Sequence, residues 1–390
     1  MDPYIDPAAL DAGNPWYEAK LSNLSRADAA HAGMAAVVDA LPCKVVLQTT
    51  DRCNLDCVMC QIPRERKRAS MDLGLMERVA DELFPTLIEL HPTNVGEALV
   101  WPHFPALCAT MARYGVLLDL TTNGMLLEGR LLDAVEPIAR DVKFSFDGAN
   151  AATFERIRRG ASFERVCRNV RETAHRLDGQ RNGRAVVALQ MTILRSNVDE
   201  LPDLVRLAAE IGAGRVKAYH LFSFTPEMDR ESIAGEPALW EPRVAEALRV
   251  GEKVGVDLQL AEPLLRGAVS EDLRPNVCHL PWHESWIDLD GAILACHSHR
   301  GDVAGNVMSE PFLVAWNGDL YKRLRRGWAE GRPGWSCAGC GMAWAKSAEH
   351  VPSPLDPESF LSPAARGIAR SPVRWSARMR PFDLAGRRGE

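Results

Sequence analysis

Cys53, Cys57 and Cys60 fall within eight positions of a 390-residue chain, in the stretch CNLDCVMC. Three thiolates on one short loop make a tridentate site. Structural zinc takes four ligands, and no fourth Cys or His lies close in sequence to complete such a set. A four-iron cube held by three cysteines keeps one iron open to a non-protein ligand. Ten cysteines in the whole chain are too sparse for a disulfide scaffold. The spacing alone leaves a partial zinc site and an open iron–sulfur cluster as competing readings.

The loop needs a frame. From residue 39 onward, short apolar runs alternate with amphipathic segments, the pattern of βα units on a parallel sheet. The first expected strand, CKVVLQTT (43–50), runs straight into the cysteines. Further strands are expected at LIELHPTN, VLLDLTTNG, DVKFSFDGA, AVVALQMTIL and RVKAYHLF, with helices between them. Six βα repeats predict an α/β fold, a partial (β/α)6 TIM-like barrel. Side-chain alternation sets Lys143, Ser145, Gln190 and Thr192 on one face, against Val142, Phe144, Phe146, Leu189 and Met191 on the other. The polar face is expected to line the barrel. Functional groups of such barrels come from the C-terminal strand ends, where CNLDCVMC sits.

Composition narrows the setting. Hydrophobic residues make up 46% and charged residues 25%, which is ordinary for a globular chain. The formal charge of −6 offers no basic excess for a nucleic-acid partner. MDPYIDPAAL lacks the basic and apolar regions of a signal peptide, and no apolar run approaches the roughly 20 residues that span a bilayer. A cytoplasmic, reducing location without a membrane partner is expected, where clustered thiols hold metal more often than they form disulfides.

With its strands in order, the sequence resembles the radical S-adenosylmethionine (SAM) enzymes, whose signature is Cys-x3-Cys-x2-Cys after the first barrel strand. The resemblance covers about residues 43 to 350. It implies a [4Fe–4S] cluster on Cys53, Cys57 and Cys60 whose open iron is chelated by SAM. An electron from that cluster then cleaves SAM to methionine and a 5′-deoxyadenosyl radical. It also implies an electron donor such as flavodoxin or ferredoxin. Gly96-Glu97 resembles the Gly-Gly-Glu that holds the SAM ammonium, with Val95 in place of the first glycine. Thr122 and Asn123 end the third strand as in many relatives. Ser145 stands where relatives contact the SAM ribose or carboxylate, and Arg158 resembles the arginine that pairs with the carboxylate. Met59 occupies the place of an aromatic near the adenine.

A second cysteine group, Cys278, Cys296, Cys337 and Cys340, resembles the Twitch domain, a shortened relative of the SPASM domain. That resemblance implies one auxiliary [4Fe–4S] cluster; a four-cysteine zinc ribbon is the competing reading. WIDLDGAIL between the first two cysteines predicts a hairpin turning at Asp290-Gly291. The expected organisation is an N-terminal extension (1–38, with a helix over SRADAAHAGMAAVVDAL), the barrel (39–265), the cluster domain (266–350) and a Pro/Arg-rich tail (351–390).

The Twitch resemblance implies oxidation of a secondary alcohol of an aminocyclitol or aminoglycoside, the auxiliary cluster accepting an electron. Epimerisation, which needs a hydrogen-donating thiol, is the alternative. Cys43 lies at the closed end of the first strand, and Cys108 and Cys167 lie in expected helices, so none is placed to donate. A peptide or protein maturase is the further alternative, and a non-catalytic cluster or zinc module the third class. Gln190, Thr192, Lys217, Tyr219, His220, Glu227, Asp229 and Glu231 are the candidates for holding a small carbohydrate-like substrate. His283, Glu284, His297 and His299 are candidates for supporting the auxiliary cysteines.

Overall fold

Eight parallel strands in the order β8-β1-β2-β3-β4-β5-β6-β7 form the body of the sheet, and antiparallel β9 and β10 extend it beyond β8. They are β1 (Lys44–Leu47), β2 (Glu89–His91), β3 (Leu117–Thr122), β4 (Ala139–Ser145), β5 (Val186–Ile193), β6 (Arg215–His220), β7 (Asp257–Leu260), β8 (Glu284–Ile287), β9 (Ala292–Leu294) and β10 (Val303–Asn306). This computed structural model describes residues 7–60, 69–178, 185–223, 225–260, 278–296, 302–332 and 337. Cys340, His297, His299 and the 351–390 tail lie outside the described residues.

The six expected strands are present, and two more parallel strands flank them. After β6 the chain forms α8 (Pro226–Asp229) and α9 (Pro237–Val254), then returns as β7 beside β6. On the other side β8 pairs with β1 in parallel, Lys44 opposite Glu284. The first strand of the cysteine-bearing C-terminal region is thus continuous with the barrel sheet. The hairpin turns where expected. Gly291 has φ +84°, a conformation suited to glycine, and its N–H donates to the Asp288 carbonyl at 2.9 Å.

The helices between strands are α2 (Leu73–Leu83), α3 (Phe104–Tyr114), α4 (Gly129–Val135), α5 (Ala151–Ile157), α6 (Phe163–Asp178) and α7 (Leu201–Glu210). In α2 the Asp72 carboxylate accepts from the Gly74 N–H, and Leu75, Met76, Val79, Ala80 and Leu83 are buried at helical spacing. They belong to one core with the outward face of the sheet, where Val142, Phe144, Phe146, Leu189 and Met191 lie fully buried. Each such side chain contributes about 1.5–3 kcal/mol on leaving water. The polar faces of the same strands turn inward, as the alternation predicts.

The N-terminal helix lies earlier than expected. It is α1 (Tyr17–Ala32), and residues 33–41 are non-helical. Its buried Lys20 donates to the carbonyls of Phe84 and Leu87, and its Asp28 accepts from, or pairs with, His283 at 2.8 Å. His283 belongs to α10 (Leu280–His283), and α11 (Phe312–Trp316) and α12 (Asp319–Ala329) follow β10. The indole of Trp282 donates to the Ala35 carbonyl, and Arg325 of α12 donates to the Ala36 carbonyl. The N-terminal segment joins barrel to C-terminal region. It is part of the fold rather than an appendage.

Candidate active site

The loop after β1 is fastened before it reaches the cysteines. Gln48, buried, donates to the carbonyls of Thr50 (2.6 Å) and Val95 (2.8 Å) and accepts from the N–H groups of Asn94 (2.9 Å) and Val95 (3.1 Å). This amide binds the first loop to the segment carrying Gly96 and Glu97. Gly96 takes φ +87°, and a Cβ there would stand 2.7 Å from the Arg52 carbonyl oxygen. Only glycine permits that approach. Val95 keeps negative φ, so replacing a glycine there creates no strain.

Glu97 is 2% exposed. Its carboxylate accepts from the Thr122 hydroxyl (2.9 Å), the Asn123 N–H (2.7 Å) and, more weakly, the Leu99 N–H (3.4 Å). Burial raises its pKa, and those hydrogen bonds oppose the rise. Asn123 in turn donates to Asn54 Oδ1 at 2.8 Å and faces Cys53 Sγ at 3.8 Å. The expected constellation of Gly96, Glu97, Thr122 and Asn123 is therefore assembled beside the first cysteine.

On the far side, the Asp56 N–H donates to the Arg159 carbonyl (3.0 Å) and the Val58 N–H to the Ile157 carbonyl (2.9 Å). Those two bonds bracket Cys57 and Arg158 and set them opposite each other. Arg158 Nη1 faces Cys57 Sγ at 3.8 Å, while Nη2 pairs with the fully buried Asp147 at 2.6 Å. Arg158 is 8% exposed and is not part of a solvated basic face. Burial pushes the Cys57 thiol up to about 11, with Arg158 pulling the other way. Met59 and Val58 pack on Ile157, Leu194, Leu221 and Met228, an apolar patch at the ends of β5 and β6.

Cys53 and Cys57 are half-buried, Cys60 is exposed, and all three are free thiols. Among the described residues no three His, Cys, Asp or Glu side chains converge on one metal ion. A cube needs no such convergence, because each cysteine ligates a different iron. The half-exposed thiols and the cationic partner at Cys57 suit an anionic cluster. Glu97 and the apolar patch at Met59 suit an ammonium and an adenine. Cys278 precedes α10, Cys296 follows β9, and Cys337 packs on the core beyond α12. Cys278 and Cys296 thus flank the open end of the β8–β9 hairpin.

Inside the barrel, Ser145 is half-buried at the end of β4 and lies in register with Gln190. Gln190 Nε2 donates to the Tyr219 hydroxyl at 2.5 Å, and burial pushes that phenol up to about 12. With Thr192 these groups line the open end. Other candidates do not belong there. Lys217 sits toward the closed end, paired with Asp141 at 3.0 Å. His220 alternates onto the helix-facing side, where its ring meets Trp240 at 5.1 Å, and burial lowers its pKa to about 4. Glu231 is tied to the Ser196 N–H at 2.9 Å, and Glu227 is exposed on α8. His283 holds α1 through Asp28, and Glu284 faces Lys44 in the barrel floor and accepts from the Trp286 indole at 2.8 Å. Cys43, Cys108 and Cys167 are buried in the packed interior, as expected.

Two residues that organise the site carry no motif. Gln48 is a lone amide in an apolar strand, and that interruption was its only signal. Asp147 lies in the quoted strand 141–149, but its pairing with Arg158 depends on a loop contact that spacing does not reveal.

Residues 47–208 match the radical SAM superfamily model, and residues 278–341 match SPASM, an iron–sulfur cluster-binding domain. The chain is 24% identical over 303 residues to the tungsten-containing aldehyde ferredoxin oxidoreductase cofactor-modifying protein of Pyrococcus furiosus, covering 72% of this chain and 82% of that protein. It is 28% identical over 290 residues to the PqqA peptide cyclase of Gluconobacter oxydans, covering 71% and 76%. Among solved structures, Streptococcus suis SuiB bound to precursor peptide SuiA superposes with a TM-score of 0.62 at 13% identity, covering 91% of this chain and 80% of that one. The last likeness speaks for the fold alone. With the three-cysteine loop at the open end of the barrel and the second cysteine group after it, the chain carries a radical SAM domain followed by a SPASM domain, and its cofactors are SAM, a SAM-binding [4Fe–4S] cluster and an auxiliary one.

Proposed function

We propose that this enzyme modifies a peptide or protein substrate by radical chemistry. The observation that carries the reading is the match to PqqA peptide cyclase, which covers 71% of this chain and 76% of that protein. The names of the relatives described above, a peptide cyclase and a cofactor-modifying protein, do not support the oxidation or epimerisation of an aminocyclitol expected from the Twitch resemblance.

When bound, SAM and its cluster supply a 5′-deoxyadenosyl radical that takes hydrogen from the substrate, and the auxiliary cluster offers a route for an electron. The chain's own part is placement. Glu97, held by Thr122 and Asn123, presents a buried carboxylate to an ammonium. Ser145, Gln190, Thr192 and Tyr219 offer donors and acceptors suited to peptide groups at the open end.

The test uses the full chain, reconstituted without oxygen, with SAM and reductant. Short peptides encoded beside its gene are compared with a panel of aminocyclitols. Peptide-dependent 5′-deoxyadenosine with a mass change on the peptide is expected. Turnover of an aminocyclitol with the peptides inert would overturn the reading.

A further inference from the structure

Cys57 and Arg158 face each other because backbone bonds on both sides of them fix the two segments, Asp56 to Arg159 at 3.0 Å and Val58 to Ile157 at 2.9 Å. The guanidinium is not free to swing away. Asp147 grips Nη2 at 2.6 Å, and Asp147 is itself immobilised, one carboxylate oxygen accepting from the Thr192 N–H at 2.7 Å. Asn197 closes the arrangement by donating from one amide to the carbonyls of both Asp147 and Thr192, each at 3.0 Å. Asp147 and Asn197 are 0% and 1% exposed, so this chain is shielded from water.

We propose that Asp147 and Arg158 form a positioning pair that directs a fixed positive charge and an N–H at Cys57 and so raises the reduction potential of the SAM-binding cluster. Adding an electron makes a cluster more negative, and a nearby cation and an N–H aimed at sulfur both favour that state. Asp147 moderates the effect, since its own negative charge opposes the guanidinium. The two residues therefore act with opposite sign on one observable. A purely structural ion pair has no such signature, because losing either partner would disturb the loop in the same direction.

The test is an EPR-monitored reductive titration of the full, doubly loaded chain without substrate, the SAM-binding cluster being the one whose signal changes when SAM is added. Arg158→Gln is expected to make reduction at least tenfold less favourable, about 59 mV downward for a one-electron couple. Arg158→Lys, which keeps the charge, is expected to recover most of that shift. Asp147→Asn, which keeps an oxygen for the Thr192 N–H, is expected to shift the potential upward. Equal potentials for Arg158→Gln and Arg158→Lys with the cluster intact would overturn the proposal, as would a downward shift in Asp147→Asn. Should Asp147→Asn lose its cluster, the two Arg158 variants still decide. Because no substrate is present, failure here leaves the peptide reading standing.

Discussion

The two ends of the barrel both bury charge, and they use it in opposite ways. At the closed end, Lys44 pairs with Glu89 and with Asp119 at 2.8 Å, Lys143 pairs with Asp119, and Lys217 pairs with Asp141 at 3.0 Å. These strand residues answer one another around a cavity of about 250 Å³, and His91 beside them is held well below its ordinary pKa by burial and by Lys143 and Lys44. At the open end the charges are fewer and each is aimed. Glu97 is braced by Thr122 and Asn123, and Arg158 is braced by Asp147 against Cys57. A floor of ions paired with one another gives rigidity. An end whose ions are oriented by neighbours has its remaining field available to a ligand.

That contrast breaks most readily at the floor. Asp119→Ala removes the acid that Lys44 and Lys143 share, leaving Lys44 with Glu89 and Lys143 with Asp141 at 3.8 Å, and is expected to cost about 3 kcal/mol of stability in denaturant unfolding. SAM cleavage per folded molecule should be unchanged. Selective loss of cleavage with stability intact would mean the floor takes part in the chemistry. Gly96→Ala should do the reverse. Its positive φ and the 2.7 Å approach to Arg52 impose roughly 1–3 kcal/mol of strain, which the site can relieve only by moving the Glu97 loop. Equilibrium binding should show SAM affinity falling about tenfold.

Glu97 sharpens the comparison through pH. Burial lifts its carboxyl above the ordinary 4.5, so folding favours the protonated form. The stability from that preference is fully present below pH 4.5 and is lost as pH rises through the shifted value. Glu97→Gln removes the dependence. The cofactor-free variant should match the wild type in acid and exceed it near neutrality, while binding SAM more weakly; a less stable variant at neutral pH would contradict this.

The smallest effect concerns His220. Its pKa drops from 6.5 to about 4, so the stability its neutral ring contributes is present above pH 6.5 and lost as pH falls through about 4. His220→Phe, which keeps a ring against Trp240, should flatten stability across that window and leave SAM cleavage alone. Lost activity with an intact fold would return His220 to the substrate site.

Much of the open end was legible in sequence because motif and strand end coincide. Cys53, Cys57, Cys60, Gly96, Glu97, Thr122 and Asn123 sit at successive C-terminal strand ends, and period-two alternation in 141–149 and 185–194 identified the lumenal face. What spacing could not give were contacts between distant segments. The Arg158–Asp147 pair depends on how the loop after α5 meets the cysteines. Lys217 and Tyr219 share a face two residues apart, yet height along the strand puts one in the floor and the other near the site. β7 escapes the pattern because DLQL is short and has alternating exposed residues, and β8, expected as a hairpin arm, shows no sign of its parallel pairing because its partner β1 lies 240 residues earlier. The helix over Tyr17–Ala32 has weak amphipathic character and is held mainly by specific contacts such as Lys20 to Phe84 and Leu87.

The account stands on the three-cysteine loop as the seat of SAM chemistry. Its most direct test replaces Cys53, Cys57 and Cys60 together by Ala, reconstitutes the full chain without oxygen, and measures iron, sulfide and 5′-deoxyadenosine. Loss of about four irons per chain, retention of the auxiliary cluster and complete loss of SAM cleavage are expected. A variant that keeps the wild-type iron and sulfide, or that still cleaves SAM, would contradict it.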